Sequence, residues 1–165
     1  TDGKIYTFPM KGTIDASVPD AETVIINDEK ETTEHNTIVD LLRNDISRVA
    51  HRVQVNRFRY IDEIQTNRSK ILQVSSEIEG TLSTKYISEI GDIIFNLLPA
   101  GSVSGAPKES TLRLIRESES SCRGFYTGVA GYFDGANLDS FVLIRFIEQN
   151  EEGLVFRSGG GDNSR

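Results

Sequence analysis

The 165-residue sequence holds a single cysteine, Cys122, so the chain cannot close a disulfide on itself. That usage suits a reducing compartment, and the expected location is cytoplasmic. Cys122 itself reads as a small residue at a helix end. No stretch approaches the ~20 apolar residues that a membrane-spanning helix needs. The opening Thr1-Asp-Gly-Lys-Ile-Tyr does not resemble a signal peptide. No membrane partner is expected. Positive charge is also in deficit: 18 Lys and Arg stand against 25 Asp and Glu, a formal net charge of −7. That balance argues against general affinity for nucleic acid, which rests on clustered Lys and Arg. An anionic ligand would need a few local cations or a metal to overcome the acidic background. Low-complexity tracts, internal repeats and a linker are missing too, so the chain reads as one unit.

The pattern that is present alternates between helix and strand. Lys4–Phe8 reads as a short strand ended by Pro9, and residues 11–20 as a loop. From about Asp20 to Val49 the apolar residues Ile38, Leu41, Leu42, Ile46 and Val49 recur at helical steps. Val53–Tyr60 and Lys70–Glu79 read as strands, and Tyr86–Leu98 as an amphipathic helix stopping before Pro99. Residues 101–107 form a loop, and Pro107 suits the first turn of a helix running to about Glu119. Three strand-like runs follow: Tyr126–Phe133, Ser140–Glu148 and Leu154–Ser158. Helices mixed with hairpin-spaced strands predict an α+β fold rather than a parallel βαβ sheet. The chain opens on what reads as an interior strand and stops just after a glycine cluster. The expectation is therefore a C-terminal portion of a single domain, lacking N-terminal strands and final helices.

Four places carry chemistry. Glu31 and Glu34 are spaced to share a face with Ile38, Leu41 and Leu42. Carboxylates on such a face are protonated, paired or metal-bound, and Mg²⁺ commonly uses one or two of them; alternatively they lie in solvated first turns favoured by the helix dipole. Gly101-Ser-Val-Ser-Gly-Ala-Pro-Lys108 leads into a helix start, so it can offer backbone N–H groups to an anion, with Lys108 adding charge. It is not a phosphate-binding P-loop, because Ala106-Pro107 separate the second glycine from the lysine. It also reads as an ordinary capping loop. Arg145 is a lone charge in an apolar strand, suited to hold a carboxylate or to pair with a structural acid. Gly159-Gly160-Gly161 allow close backbone approach to a ligand, or a flexible turn. Lys11, in Pro9-Met-Lys-Gly-Thr13, is a nucleophile only if it is held neutral. Of the two histidines, His35 beside Glu34 reads as a polar-face residue, or as a group one turn of helix places behind Glu34 in support of it, and His51 as a cap for the helix C-terminus.

Six stretches, taken in order, resemble the chorismate-binding enzyme family, which includes anthranilate, isochorismate, salicylate and aminodeoxychorismate synthases. They are Pro9–Thr13, Glu34–Asp45, Gly101–Lys108, Arg123–Tyr132, Ile144-Arg145 and Gly159–Gly161. The resemblance implies antiparallel sheets with helices outside, and chorismate as substrate. It implies a Mg²⁺ site at Glu34 with Glu31 close by, and a second set of carboxylates beyond Gly161. It places Arg145, Tyr132 and the backbone of Gly159, Gly160 and Gly161 on the enolpyruvyl carboxylate, and Ser102 and Lys108 on the substrate.

Lys11 selects the branch. Members that form 4-amino-4-deoxychorismate resemble this sequence in carrying Lys in the Pro-x-Lys-Gly-Thr motif, where anthranilate and isochorismate synthases usually have Ala. The resemblance then implies that Lys11 attacks ring position 2, expelling the hydroxyl at position 4. The adduct is displaced as ammonia from a glutaminase partner adds at position 4, on the way to para-aminobenzoate and folate. Nearby Mg²⁺ would help keep the amine neutral by disfavouring a second positive charge. Two departures stand out. Gln73 replaces the histidine usual in relatives at a substrate-contacting place, and an amide cannot carry a proton at neutral pH. Asp162-Asn163 follow the glycines where relatives have an apolar and a small residue. The rivals are another chorismate enzyme, and a non-catalytic chorismate-binding subunit.

Overall fold

The computed structural model describes residues 2–105, 107–151 and 153–159. The chain divides into two compact units, Thr1–Leu97 and Leu98–Arg165.

In the first unit the elements run β1 (Lys4–Thr7), β2 (Met10–Asp15), α1 (Ala21–Asn27), α2 (Glu29–Ser47), β3 (His51–Gln65), β4 (Lys70–Thr81) and α3 (Ile90–Leu97). All pairings in this sheet are antiparallel, and β4 is its spine. β3 lies along one edge of it. On the other edge β1 covers Ile78–Thr81 and β2 covers Ile71–Ser75, end to end. The Ser76 N–H donates to the Pro9 carbonyl at 2.9 Å and bridges the gap between them.

Side chains alternate along a strand, and in β4 Ser75 is buried as well as the even residues Leu72, Val74, Ser76 and Ile78. The even residues meet Ala21 and Ile25 of α1 and Val39 and Ile46 of α2, which form the core with Ala50. Each full aliphatic burial is worth about 1.5–3 kcal/mol. Gly80 continues the same face. A Cβ there would stand 2.7 Å from the Ala50 Cβ and 2.9 Å from Ile46 Cγ2, so its missing side chain lets the end of α2 touch the strand.

The helix expected over Asp20–Val49 is two helices, broken at Asp28, whose extended backbone (φ −67°, ψ 115°) makes it the N-cap of α2. Its carboxylate accepts from the Glu31 N–H at 2.8 Å, the bond an N-cap aspartate is suited to make. The segment expected as a loop over 11–20 contains all of β2 but its first residue, Met10. β3 runs longer than Val53–Tyr60, and its register shifts three times, with left-handed backbone at Arg52 (φ 51°) and Arg59 (φ 48°). His51 does not cap the helix; it is the first residue of β3, opposite Thr81. The expected helix over Tyr86–Leu98 begins as turns and becomes regular only at Ile90.

The second unit runs α4 (Gly101–Ser104), α5 (Lys108–Ser118), β5 (Val129–Phe133), β6 (Leu138–Val142), β7 (Phe146–Asn150) and β8 (Gly153–Arg157). β5 pairs with β6 and β7 with β8 as antiparallel hairpins. The single strand expected over Ser140–Glu148 is therefore two, interrupted at Leu143–Arg145. There Leu143 leaves β6 and exchanges backbone bonds with Thr127 and Gly128. The fold is α+β, with antiparallel sheets throughout. Among the described residues no helix is long and apolar enough to cross a membrane.

Candidate functional site

β2 does not pair evenly with β4. Met10 faces Ser75 and Thr13 faces Gln73, which leaves Lys11 and Gly12 together opposite Val74. One extra residue on an edge strand is a β-bulge, and Gly12 supplies the left-handed conformation it requires (φ 95°). A Cβ on Gly12 would lie 3.5 Å from Ile25 and 3.6 Å from the Glu31 Cβ, so the bulge is seated against both helices. From it the Lys11 side chain reaches α2, and Nζ donates to Glu34 Oε2 at 2.9 Å.

Glu34 Oε1 lies 3.9 Å from Lys30 Nζ, one turn back on the same helix. The two oxygens of one carboxylate thus face two ammonium groups. Side-chain exposures of 44% for Lys11 and 21% for Glu34 leave the pair partly hydrated, so its Coulomb energy contributes little to stability. Its value lies in where it holds an amine. Glu31 occupies the preceding turn of α2, on the side of Gly12. Among the described residues no group of three or more His, Cys, Asp or Glu comes together as a metal site. Glu31 and Glu34, three residues apart on α2, are the carboxylates that a hard cation keeping several waters could use here.

His35 corrects the expectation of a polar-face residue: it is fully buried. Its Nε2 lies 2.7 Å from Ser76 Oγ, its Nδ1 3.4 Å from the Lys11 carbonyl, and Phe58 packs edge-on at 5.9 Å. Burial pushes its pKa below the ordinary histidine value, helped by the Arg59 guanidinium and opposed by the Lys11 carbonyl. Ser76 was not foreseen as part of this cluster. The signal for His35 lay in the spacing: it precedes the buried Val39 by four residues and Ile46 by eleven, which is the stripe facing β4.

Gln73 is odd-numbered on β4 and so projects from the face away from α2, where it donates to Thr13 Oγ1 at 3.4 Å. Lys11 and Glu34 meet in an ion pair, Glu31 lies beside Gly12, and Gln73 points to the opposite side of the sheet.

In the second unit Ser102 is exposed in the single turn of α4, a helix where a loop was expected, and Lys108 opens α5 half-buried. Tyr132 is 75% exposed on β5. Arg145 is not within a strand, as expected, but exposed in the bend between β6 and β7, because the apolar run on either side of it belongs to two hairpins. Gly159 lies against Tyr126, whose hydroxyl would meet a Cβ there at 2.0 Å. Gly160 and Gly161 lie outside the described residues. Cys122 is exposed beyond the end of α5.

Residues 1–161 match the family model described as chorismate binding enzyme. An uncharacterized PabA-like protein of Haemophilus influenzae is 57% identical over 160 residues, which are 97% of this chain and 49% of that protein. The aminodeoxychorismate synthase component 1 of Bacillus subtilis is 36% identical over 140 residues, covering 83% of this chain and 28% of that protein. Among solved structures, anthranilate synthase component I from Streptococcus pneumoniae superposes with a TM-score of 0.72 at 33% identity, over 89% of this chain and 32% of that one. The chain thus spans about half the length, or less, of the curated relatives it matches.

Proposed function

The chain belongs to the family of chorismate binding enzymes, and we propose that the protein it forms aminates chorismate to 4-amino-4-deoxychorismate through a covalent adduct on Lys11. The observation that carries this reading is the bulge in β2 that presents the Lys11 amine to Glu34 at 2.9 Å. Beside a carboxylate the Lys11 amine is favoured as the charged ammonium. It becomes a nucleophile only after that proton has passed on, and Glu34 is the group placed to take it.

In the proposed sequence Lys11 Nζ passes a proton to Glu34 Oε2 and attacks ring carbon 2. The ring double bonds shift, and the hydroxyl at carbon 4 departs with a proton as water. Ammonia then adds at carbon 4, the double bonds return and the C–N bond to Lys11 breaks, restoring the amine. The balance is chorismate plus ammonia giving 4-amino-4-deoxychorismate plus water. Ammonia would come from a glutamine amidotransferase partner or fused domain, in the cytoplasm. Glu31 and Glu34 would hold Mg²⁺, which supplies positive charge against a substrate carboxylate.

Roles for Arg145, Tyr132 and Gly159 on a carboxylate, and for Ser102 and Lys108 on the substrate, rest on the resemblance of their motifs. Gln73, on the far side of the sheet, is given no part in the Lys11 step.

The test is to incubate the full-length protein with chorismate, Mg²⁺ and an ammonium salt, and to identify products by chromatography and mass spectrometry. Aminodeoxychorismate from the wild type and none from Lys11→Ala is the expected pair of results. Anthranilate or isochorismate as product, or an unaffected Lys11→Ala rate, would overturn the reading.

A further inference from the structure

The reaction proposed for Lys11 leaves unused a buried chain of hydrogen bonds directly behind it. The Arg59 N–H donates to Ser76 Oγ at 2.9 Å, and Ser76 Oγ and His35 Nε2 are 2.7 Å apart. His35 Nδ1 faces the Lys11 carbonyl at 3.4 Å. A carbonyl can only accept, so Nδ1 is the nitrogen that carries the ring proton. Nε2 then accepts from the Ser76 hydroxyl, whose oxygen still accepts from Arg59. This is the one assignment in which each contact joins a donor to an acceptor while the ring stays neutral.

The chain ends on the backbone that carries the amine. The Ser76 N–H holds the Pro9 carbonyl, two residues before the Lys11 carbonyl held by His35. Both carbonyls on either side of Met10 are thus tied to one strand residue, directly or through the imidazole. Just beyond them Gly12 turns left-handed and the register slips. Together with the seating of Gly12 against Ile25 and Glu31, these hydrogen bonds fix the direction in which Lys11 leaves the backbone.

We propose that His35 is a positioning residue for Lys11: by donating Nδ1–H to the Lys11 carbonyl it fixes the bulge in the orientation that brings Nζ to Glu34. The proposal rests on reading Lys11 as the nucleophile. It differs from a purely packing role because it depends on one ring nitrogen and one proton.

Two measurements test it. In the full-length wild-type protein labelled with ¹⁵N-histidine, long-range ¹H–¹⁵N spectra report the tautomer, and His35→Asn identifies the His35 signal by its loss. A neutral ring protonated at Nδ1 is expected; protonation at Nε2 would overturn the proposal whatever reaction the protein catalyses. The second measurement compares His35→Asn, whose amide can stand in for Nδ1–H, with His35→Gln, whose amide extends to Ser76. His35→Gln should lower kcat for amination by about ten- to a hundredfold with little change in KM for chorismate, the scale of a small misplacement of a reacting group. His35→Asn should recover most of that loss although the two variants have similar melting temperatures. Equal losses in both, tracking their melting temperatures, would overturn the proposal. A wild type that makes no aminodeoxychorismate would defeat the reading of the reaction, and the tautomer would still decide whether His35 holds Lys11.

Discussion

Lys11 Nζ and Glu34 Oε2 lie 2.9 Å apart although 23 residues separate them in the chain. The contact joins an edge strand to a helix across the seam where a bulge departs from the sheet. Glu34→Gln keeps the length and shape of the side chain and removes its charge. We expect amination to fall by roughly 10²–10⁴-fold, the range for loss of a general base, with the circular dichroism spectrum unchanged. Wild-type rates in Glu34→Gln would remove the carboxylate from the reaction.

Gly80 is where the C-terminal end of α2 closes onto the sheet. Adding one methyl there meets Ala50 and Ile46 on the helix side and Ile5 on β1, none of which has a long flexible end to swing away. Gly80→Ala should therefore destabilise the protein by about 1–3 kcal/mol, the cost of overpacking a filled core. Urea denaturation of the two proteins measures this as a lower midpoint at unchanged slope. A midpoint equal to the wild type would show that the helix end can move off the strand freely.

Glu79, on the face of β4 away from the helices, joins three strands. Lys4 Nζ of β1 donates to its Oε1 at 2.5 Å, and Asn56 of β3 donates to its Oε2 at 3.1 Å. The Lys4 hydrogen bond and then that of Asn56 hold its carboxyl below the ordinary value of 4.5. A carboxyl depressed in the folded state contributes stability that is fully present above pH 4.5 and is lost as pH falls through its folded value. Wild type should therefore exceed Glu79→Gln in stability at pH 6, and the difference should shrink as pH drops below 4.5. A difference that stays constant with pH would mean that the charge is irrelevant and only shape counts.

Much of this was written plainly in the sequence. The helical spacing from Ile38 to Val49 and the strand of Lys70–Glu79 announced α2 and β4, because both bury one face and so must repeat with their own period. β2 was hidden for the opposite reason. It is a six-residue edge strand of mostly exposed residues, and its bulge breaks the alternation that would reveal it. The polar type of His35 points to the surface, whereas its place in the stripe with Val39 and Ile46 points to the core. A buried histidine is tolerable when both nitrogens find partners, and those partners, Ser76 and the Lys11 backbone, are 41 and 24 residues away in the chain. The residues around Arg145 misled by continuity: Phe141–Ile147 is almost unbroken apolar sequence, yet the chain bends within it and the two ends enter different hairpins. Of the site, Lys11 and Glu34 stand out singly through the motifs that carry them, whereas their contact with each other and the support from Ser76 depend on which strand lies beside which helix.

The position of β4 also sets a timetable for the growing chain. Among the described residues β1 and β2 pair with β4 alone, and Lys4 and Thr81, which pair, are 77 residues apart. At a ribosomal pace of about 5–20 residues per second, the interval between their emergence is roughly 4–15 s. For the larger part of it, until Ile71–Ser75 emerge, the segment bearing Lys11 lacks the strand that completes its backbone bonds, while α2 and β3 are already available to each other. A pause in translation upstream of Thr81 would prolong the period in which that segment is open to proteases and to pairing with other nascent chains.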